Sequence, residues 1–171
     1  PRLNAAGRLD DMSVGVALLL CDNIGEARVL ASELDALNQT RKEIEQGMQA
    51  EALTLCEKLE RSGDTLPGGL AMYHPEWHQG VVGILASRIK ERFHRPVIAF
   101  APAGDGTLKG SGRSIQGLHM RDALERLDTL HPNLMIKFGG HAMAAGLSLE
   151  EAKFEEFQRL FGELVTEWID P

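Results

Sequence analysis

Two glycines, two hydroxyls and one guanidinium lie within the five residues GSGRS (110–114). Glycines let a ligand come close to the backbone, and backbone N–H groups and the Ser111 hydroxyl can bond phosphate oxygens. Arg113 can add a charge-assisted pair to the same group. This pattern favours a phosphate-binding cradle. A bulged strand at a sheet edge, carrying a solvated arginine, is the alternative interpretation.

A second candidate lies in the segment FGGHAMAAG (138–146). Gly139 and Gly140 would let a ligand approach the chain, and His141 could donate to a phosphate or stack on a base. A glycine turn that joins two strands, with His141 as a surface residue, fits the same residues. The sequence leaves both interpretations open.

A third candidate precedes a predicted helix, in HPEWHQGVVG (74–83). Trp77, His78, Gln79 and Gly80 come directly before the first helical turn, whose free N–H groups favour an anion. An exposed Trp77 could also stack on a base, although half-buried packing is the commoner role of tryptophan.

The first nine residues, PRLNAAGRL, carry the fourth candidate. Arg2, Asn4 and Arg8 stand among small residues and could face a ligand. A frayed terminal helix explains the same pattern.

The sequence predicts neither a metal site nor a catalytic group within this chain. His74 and His78 have i, i+4 spacing, but Pro75 breaks any helix between them, and no HExxH pattern follows. No Ser/His/Asp arrangement and no Walker-type loop is present. We therefore expect the isolated chain to be catalytically inactive.

The residues between the N-terminal motif and the other three predict a helical lead-in and a long connector. Residues 11–22 predict a short apolar helix. From Glu26 to about Ser62 there is no proline, and apolar residues recur every three or four positions, interrupted by Arg41. At about 1.5 Å per residue such a helix is roughly 55 Å long, which favours a strut between two domains over a coiled coil. The segment SGDTLPGG (62–69) predicts a domain boundary.

The remainder predicts an α/β domain with a mixed sheet flanked by helices. Strand 70–74, helix 80–93 and strand 96–102 form a unit typical of parallel pairing. The other predicted elements are an extended segment at 107–114, helices at 120–128 and 154–169, and strands at 133–140 and 144–149. In the closing helix Phe154, Phe157, Phe161, Leu164, Val165 and Trp168 are predicted to point inward.

The charge of the chain is distributed unevenly along its 171 residues, with a net value of −7. Residues 65–149 carry nine basic and six acidic groups, a balance of +3, whereas both flanks are acidic. So small a field would not steer DNA alone, yet it permits a phosphate-binding face. Cys21 and Cys56 stand alone, which predicts free thiols and a reducing cytoplasmic location.

The motifs in chain order carry a resemblance that none of them carries alone. PRLNAAGRL, the long helix, YHPEWHQGVVGILASRI, GSGRS and FGGHAMAAGLSL resemble the RecJ family of bacterial single-strand-specific 5′ exonucleases, in the DHH phosphoesterase superfamily. The resemblance covers essentially the whole chain. The GGHxxAAG signature is similar to that of the DHH-associated domain, which follows the catalytic domain in this superfamily.

This resemblance implies three parts. Residues 1–24 would be the C-terminal end of a DHH catalytic domain, residues 25–64 a long connector helix, and residues 65–171 a DHH-associated nucleic-acid-binding domain. The catalytic domain of such enzymes holds Mn or Mg, and the motifs that carry those ligands are absent from this chain. The implied partners are single-stranded DNA, the DHH domain of the same polypeptide, a single-strand-binding protein and a helicase, with no membrane.

The resemblance also implies roles for the candidate residues. Ser111 and Arg113 would bind the 5′-terminal phosphate, and Gly139, Gly140 and His141 would line the nucleotide site. The other implied DNA contacts are Trp77, His78, Gln79, Gly80, Arg2, Asn4 and Arg8, the last three from the catalytic side of the cleft.

Two other functions remain compatible with the sequence. An oligoribonuclease or cyclic-dinucleotide phosphodiesterase of the same superfamily also uses a GGH domain, and preference for two- to five-nucleotide substrates would distinguish it. A non-catalytic replication scaffold on a RecJ-like core is the other alternative. Loss of the metal-binding aspartates upstream would identify that class.

Overall fold

The computed structural model describes residues 1–61 and 66–169, so the predicted boundary segment 62–69 falls partly outside the described residues. The chain divides into two compact units, Pro1–Gly47 and Met48–Pro171. Both units contain part of one long helix.

The first unit is helical. It contains α1 (Arg2–Leu9), α2 (Ser13–Leu20) and the first part of α3 (Ile24–Arg61). The predicted long helix is confirmed, and its 38 residues extend about 57 Å. Arg41 interrupts the apolar stripe at little cost because its Nη1 donates to Glu45 Oε2 at 2.7 Å, and its Nε donates to Asn38 Oδ1 at 3.3 Å. All three side chains are largely buried, and these hydrogen bonds replace the ones that their polar groups would make to water.

The short apolar helix α2 is exposed in this unit. Val16, Leu19 and Leu20 are 49%, 72% and 75% exposed, and Ile24 at the start of α3 is 73% exposed. Gly15 is the buried residue of α2. Contiguous exposed apolar side chains mark a surface that is usually covered by another part of a protein.

The second unit is built on a five-stranded mixed sheet. Its strands are β1 (Leu70–Tyr73), β2 (Val97–Gly104), β3 (Thr107–Arg113), β4 (Lys137–Gly140) and β5 (Ala144–Glu150). They lie in the order β1-β2-β3-β5-β4, with β1 parallel to β2 and every other pair antiparallel. The predicted parallel pair and mixed sheet are confirmed.

Helices cover the two faces of this sheet unequally. The hydrophobic core lies on one face, where strand side chains such as Phe100 and Leu108 pack against α5 (Met120–Leu130) and α6 (Phe154–Ile169). On the other face α4 (Val82–Phe93) contacts β2 and β3. The part of that face formed by β5 and β4 carries exposed residues, including Gly139 and Gly146. One side of the sheet is thus partly open.

The edge strand β1 is paired on one side and capped on the other. The Leu70 N–H donates to Pro96 O at 2.9 Å, so the polar backbone groups of Ala71 point away from β2. Gln158 of α6 donates through Nε2 to Ala71 O at 2.6 Å. This edge therefore has a side-chain partner in place of a further strand.

Two details of the predicted elements are wrong. The strand predicted at 133–140 begins only at Lys137, because Asn133 adopts a positive φ of 69° and the consecutive Leu134 and Met135 are both buried. A one-sided strand would alternate instead. Trp168, predicted to point inward, is 42% exposed because the buried face of α6 ends at Val165.

Within the described residues, no helix combines the length and apolar character that crossing a membrane requires.

Candidate nucleic-acid interface

The GSGRS segment belongs to β3, where alternation sorts its residues between the two faces of the sheet. Gly110 and Gly112 lie on the core face, while Ser111 and Arg113 lie on the face that α4 covers in part. Arg113 is half-buried, and its Nη1 donates to Ser111 Oγ at 3.1 Å and to Gly112 O at 2.8 Å. The interpretation as a freely solvated arginine is therefore wrong.

The first turn of α4 packs directly on these two side chains. A Cβ added to Gly83 would lie 2.9 Å from Arg113 Nη2 and 3.0 Å from Ser111 Oγ. Only a glycine leaves this space, since such contacts are shorter than ordinary van der Waals separations. Gly83 thus allows the guanidinium and hydroxyl to reach the helix N-terminus.

Positive potential accumulates at this position from two sources. The N-terminus of α4 has no side-chain cap, and its helix dipole contributes partial positive charge. Of its first-turn N–H groups, those of Val82 and Ile84 donate to His78 O at 3.2 Å and to Val81 O at 2.9 Å. The guanidinium of Arg113 adds a full charge beside it. Two positive groups in contact favour an anion between or above them, and the Ser111 hydroxyl supplies a further donor.

The two glycines of the GGH motif have different environments. Gly140 has φ +149°, and an added Cβ would lie 2.5 Å from both Ala144 O and Ala145 Cα. An added Cβ at Gly139 would meet no atom within 4 Å, because this residue faces the open side of the sheet. Gly140 is therefore required by the backbone, whereas Gly139 is compatible with close approach of a ligand. His141 is exposed, and its N–H donates to Ala144 O at 2.8 Å.

We expect Gly140→Ala to lower the free energy of unfolding by about 3 kcal/mol, because backbone atoms cannot move aside and the φ value suits glycine alone. Gly139→Ala is the matched control and should change stability by less than about 0.5 kcal/mol. Chemical denaturation of both variants measures the difference. Similar losses for the two variants would contradict this division of roles.

The role predicted for an exposed Trp77 is wrong. Its side chain is 3% exposed, and its indole Nε1 donates to Glu51 Oε2 at 2.8 Å. A buried ring with a satisfied N–H has no free face for a base, so the packing interpretation applies. Glu51 lies on α3, 26 residues earlier, and nothing in the sequence linked the two residues.

The residues after Trp77 shape the approach to α4. His78 Nδ1 accepts from the Gly80 N–H at 3.0 Å, and His78 O accepts from Val81 N–H at 2.9 Å. Gln79 is exposed. These contacts stabilise the turn that precedes α4. Contact between Gln79 and DNA stays a prediction.

The three polar residues of α1 do not share one face. Asn4 and Arg8 are four residues apart and lie on the same side, while Arg2 lies on another side and pairs with Asp35 of α3. The hydrogen bond from Arg2, followed by its charge, lowers the pKa of the Asp35 carboxyl. Arg2 thus has an acidic partner within the first unit.

No group of three or more histidine, cysteine, aspartate or glutamate side chains in residues 1–61 and 66–169 is arranged to hold a metal ion. The residues described therefore do not fit a catalytic metal centre. What they offer is a donor-rich surface for an anion.

Comparison with known families identifies the domain that carries these residues. Residues 67–167 match the family described as the DHHA1 domain. The chain belongs to this family. The DHHA1 domain match begins just before β1 and ends in the last turn of α6, so it covers the sheet and its three helices.

Several relatives of this chain are single-stranded-DNA-specific exonucleases named RecJ. The single-stranded-DNA-specific exonuclease RecJ of Salmonella typhimurium is 94% identical over all 171 residues, which make up 30% of that protein. Two crystal structures of RecJ from Thermus thermophilus, one with Mg²⁺ and one with Mn²⁺, each match with a TM-score of 0.82 and 35% identity. They cover 100% of this chain, which corresponds to 25% and 24% of theirs. The resemblance to RecJ is confirmed, and the chain spans about 30% of the curated relative's length.

Proposed function

We propose that this chain is the strand-gripping part of a single-stranded-DNA-specific 5′-3′ exonuclease that acts in DNA repair and recombination. The observation that carries the proposal is the close packing of Arg113 and Ser111 on the first turn of α4, whose N-terminus has no side-chain cap. That site binds the 5′-terminal phosphate. The open face beside it, floored by Gly139, receives the nucleotide.

The chemistry of hydrolysis belongs to another part of the polypeptide. The RecJ structures that this chain matches contain Mg²⁺ or Mn²⁺, whereas the side chains described here do not form a metal site. Such metals would activate water and stabilise charge on the phosphate. The contribution of this chain is to position the strand end and to bind its phosphate.

The exposed apolar surface of α2 supports a further part of the proposal. Val16, Leu19 and Leu20 are exposed on a helix with almost no polar residues, which suits a segment that packs on a larger domain. Residues 1–24 are accordingly the end of a DHH catalytic domain, and residues 25–64 the connector. Within this arrangement Asn4 and Arg8 contact the substrate from the catalytic side.

The proposal extends to location and partners. Cys21 and Cys56 are both free thiols, in keeping with a reducing cytoplasm. A single-strand-binding protein and a helicase are the proposed protein partners, since each would supply or expose single strands.

The proposal predicts weak binding of the 171-residue chain to single-stranded DNA with a shallow salt dependence. Each single-strand phosphate bound contributes a slope of about −0.7 in log K against log salt, so one to three contacts give roughly −0.7 to −2. Titration of fluorescent oligonucleotides at several salt concentrations measures this slope. Preference for duplex DNA, or a much steeper slope, would exclude the proposed binding mode.

A further inference from the structure

A row of polar residues crosses three strands on the open face of the sheet, two residues along β3 from Ser111. Lys109 of β3 pairs in register with Ser148 of β5, and Ser148 pairs with Lys137 of β4. Both lysines are exposed and Ser148 is half-buried. We refer to these three residues as the lysine row.

The geometry of the lysine row suits one phosphate group. Neighbouring strands lie about 4.8 Å apart, so the two lysine Cα atoms are roughly 10 Å apart with Ser148 midway. Lysine side chains are long and flexible, so both ammonium groups can lie above the Ser148 hydroxyl. Two cations and one hydroxyl donor then face the same point.

The charge of the row is not balanced by other residues described here. Neither Lys109 nor Lys137 forms an ion pair or a side-chain hydrogen bond within residues 1–61 and 66–169. The acidic residue on the same face of β5 is Glu150, whose Oε1 lies 3.8 Å from Lys153 Nζ. Strand β5 separates the two lysines, so their ammonium groups repel each other when both are brought above Ser148, and a bound anion would offset that repulsion.

The lysine row lies on the same face of the sheet as Ser111 and Arg113, which are proposed to bind the 5′-terminal phosphate. Lys109, Ser111 and Arg113 lie on one face of β3, and the row Ser111–Gly146–Gly139 separates the lysine row from Arg113. Four residues of an antiparallel strand extend about 13 Å. A stacked nucleic-acid strand rises about 3.4 Å per nucleotide, so this distance corresponds to roughly four stacked nucleotides, or fewer in an extended strand.

From this register we propose that Lys109, Ser148 and Lys137 bind a second, internal phosphate of the single strand whose 5′ end is bound at Arg113. This inference rests on the proposed function and adds a length requirement to it. A dinucleotide bound at Arg113 is too short to contact the lysine row. A longer DNA strand contacts both sites and crosses Gly146 and Gly139, which lie between them.

The test compares binding of 5′-phosphorylated oligothymidylates of two and eight nucleotides to the 171-residue chain. For Lys109→Ala/Lys137→Ala we expect octamer affinity to fall on the order of tenfold, and the octamer salt slope to lose about 0.7, the value for one phosphate. Dinucleotide affinity should change less than about twofold, because that ligand does not reach the row. The control Lys42→Ala/Lys58→Ala removes two exposed lysines of α3 and the same total charge.

The outcomes separate the two proposals. Equal octamer losses in the lysine-row variant and the control, or an unchanged salt slope, would overturn the second site while leaving Arg113 binding intact. Failure of the wild-type chain to bind either oligonucleotide would overturn the proposed function and this inference with it. Circular dichroism of each variant verifies that the sheet is retained.

Discussion

Replacement of Arg113 by alanine is expected to weaken binding of 5′-phosphorylated single strands roughly 10- to 150-fold. The substitution removes a charge-assisted contact of about 1.5–3 kcal/mol, and about 1.4 kcal/mol corresponds to a factor of ten. Strands with a 5′-hydroxyl should lose much less, because they never make this contact. Because Arg113 also donates to Ser111 and to Gly112 O, a stability loss of about 1 kcal/mol should accompany the change.

Affinities for phosphorylated and unphosphorylated strands, or kcat/KM in the full-length polypeptide, measure the effect. Arg121→Ala is the matched control, since Arg121 is exposed on α5, the helix that covers the opposite face of the sheet. Equal losses on both kinds of strand would indicate that Arg113 contacts an internal phosphate. No loss on either would return GSGRS to the interpretation of a plain strand.

Substitution of Gly83 by alanine is expected to reproduce the Arg113→Ala phosphate defect without touching a charged residue. The new Cβ would lie 2.9 Å from Arg113 Nη2, at the end of a flexible side chain, so the guanidinium moves rather than the backbone. We expect a loss of at least about tenfold for 5′-phosphorylated strands. Global stability should remain nearly constant, because alanine is the better helix former by about 1 kcal/mol and offsets the displacement.

Gly47→Ala on α3 is the control for this helix effect, since a Cβ there meets no atom within 4 Å. It should stabilise the chain by up to about 1 kcal/mol and leave binding unchanged. The double variant Gly83→Ala/Arg113→Ala should bind no more weakly than Arg113→Ala alone, because both changes remove one interaction. Additive losses would contradict the proposed coupling.

Local pattern was enough to predict most of the fold. The long proline-free helix α3 and the strand–helix–strand order of β1, α4 and β2 are both predicted from residues close together in the sequence, and both are confirmed. The family resemblance likewise depended on short motifs in a fixed order. The strand predicted at 133–140 is too long because the consecutive residues Leu134 and Met135 are both buried in the core, without the alternation of buried and exposed residues that a strand shows.

The candidate site was harder to predict, since its contacts join distant segments. The bond between Trp77 and Glu51 crosses 26 residues, and neither residue type identifies the other as its partner. Gly83 was likewise missed, although a glycine in the first turn of a helix, where it lowers helix propensity, was a usable signal. Sequence also could not separate Gly139 from Gly140, because their difference is one of backbone dihedral angle and neighbouring atoms.

The amide of Gln158 at β1 has a consequence for how copies of this protein meet one another. An uncovered sheet edge offers unpaired N–H and C=O groups on which a strand of a second molecule can add. At β1 the Ala71 carbonyl that would accept such a strand is already occupied by Gln158, and Leu70, Ala71 and Met72 are buried. Intermolecular strand addition, and the aggregation that can follow from it, is therefore disfavoured along this edge of the sheet.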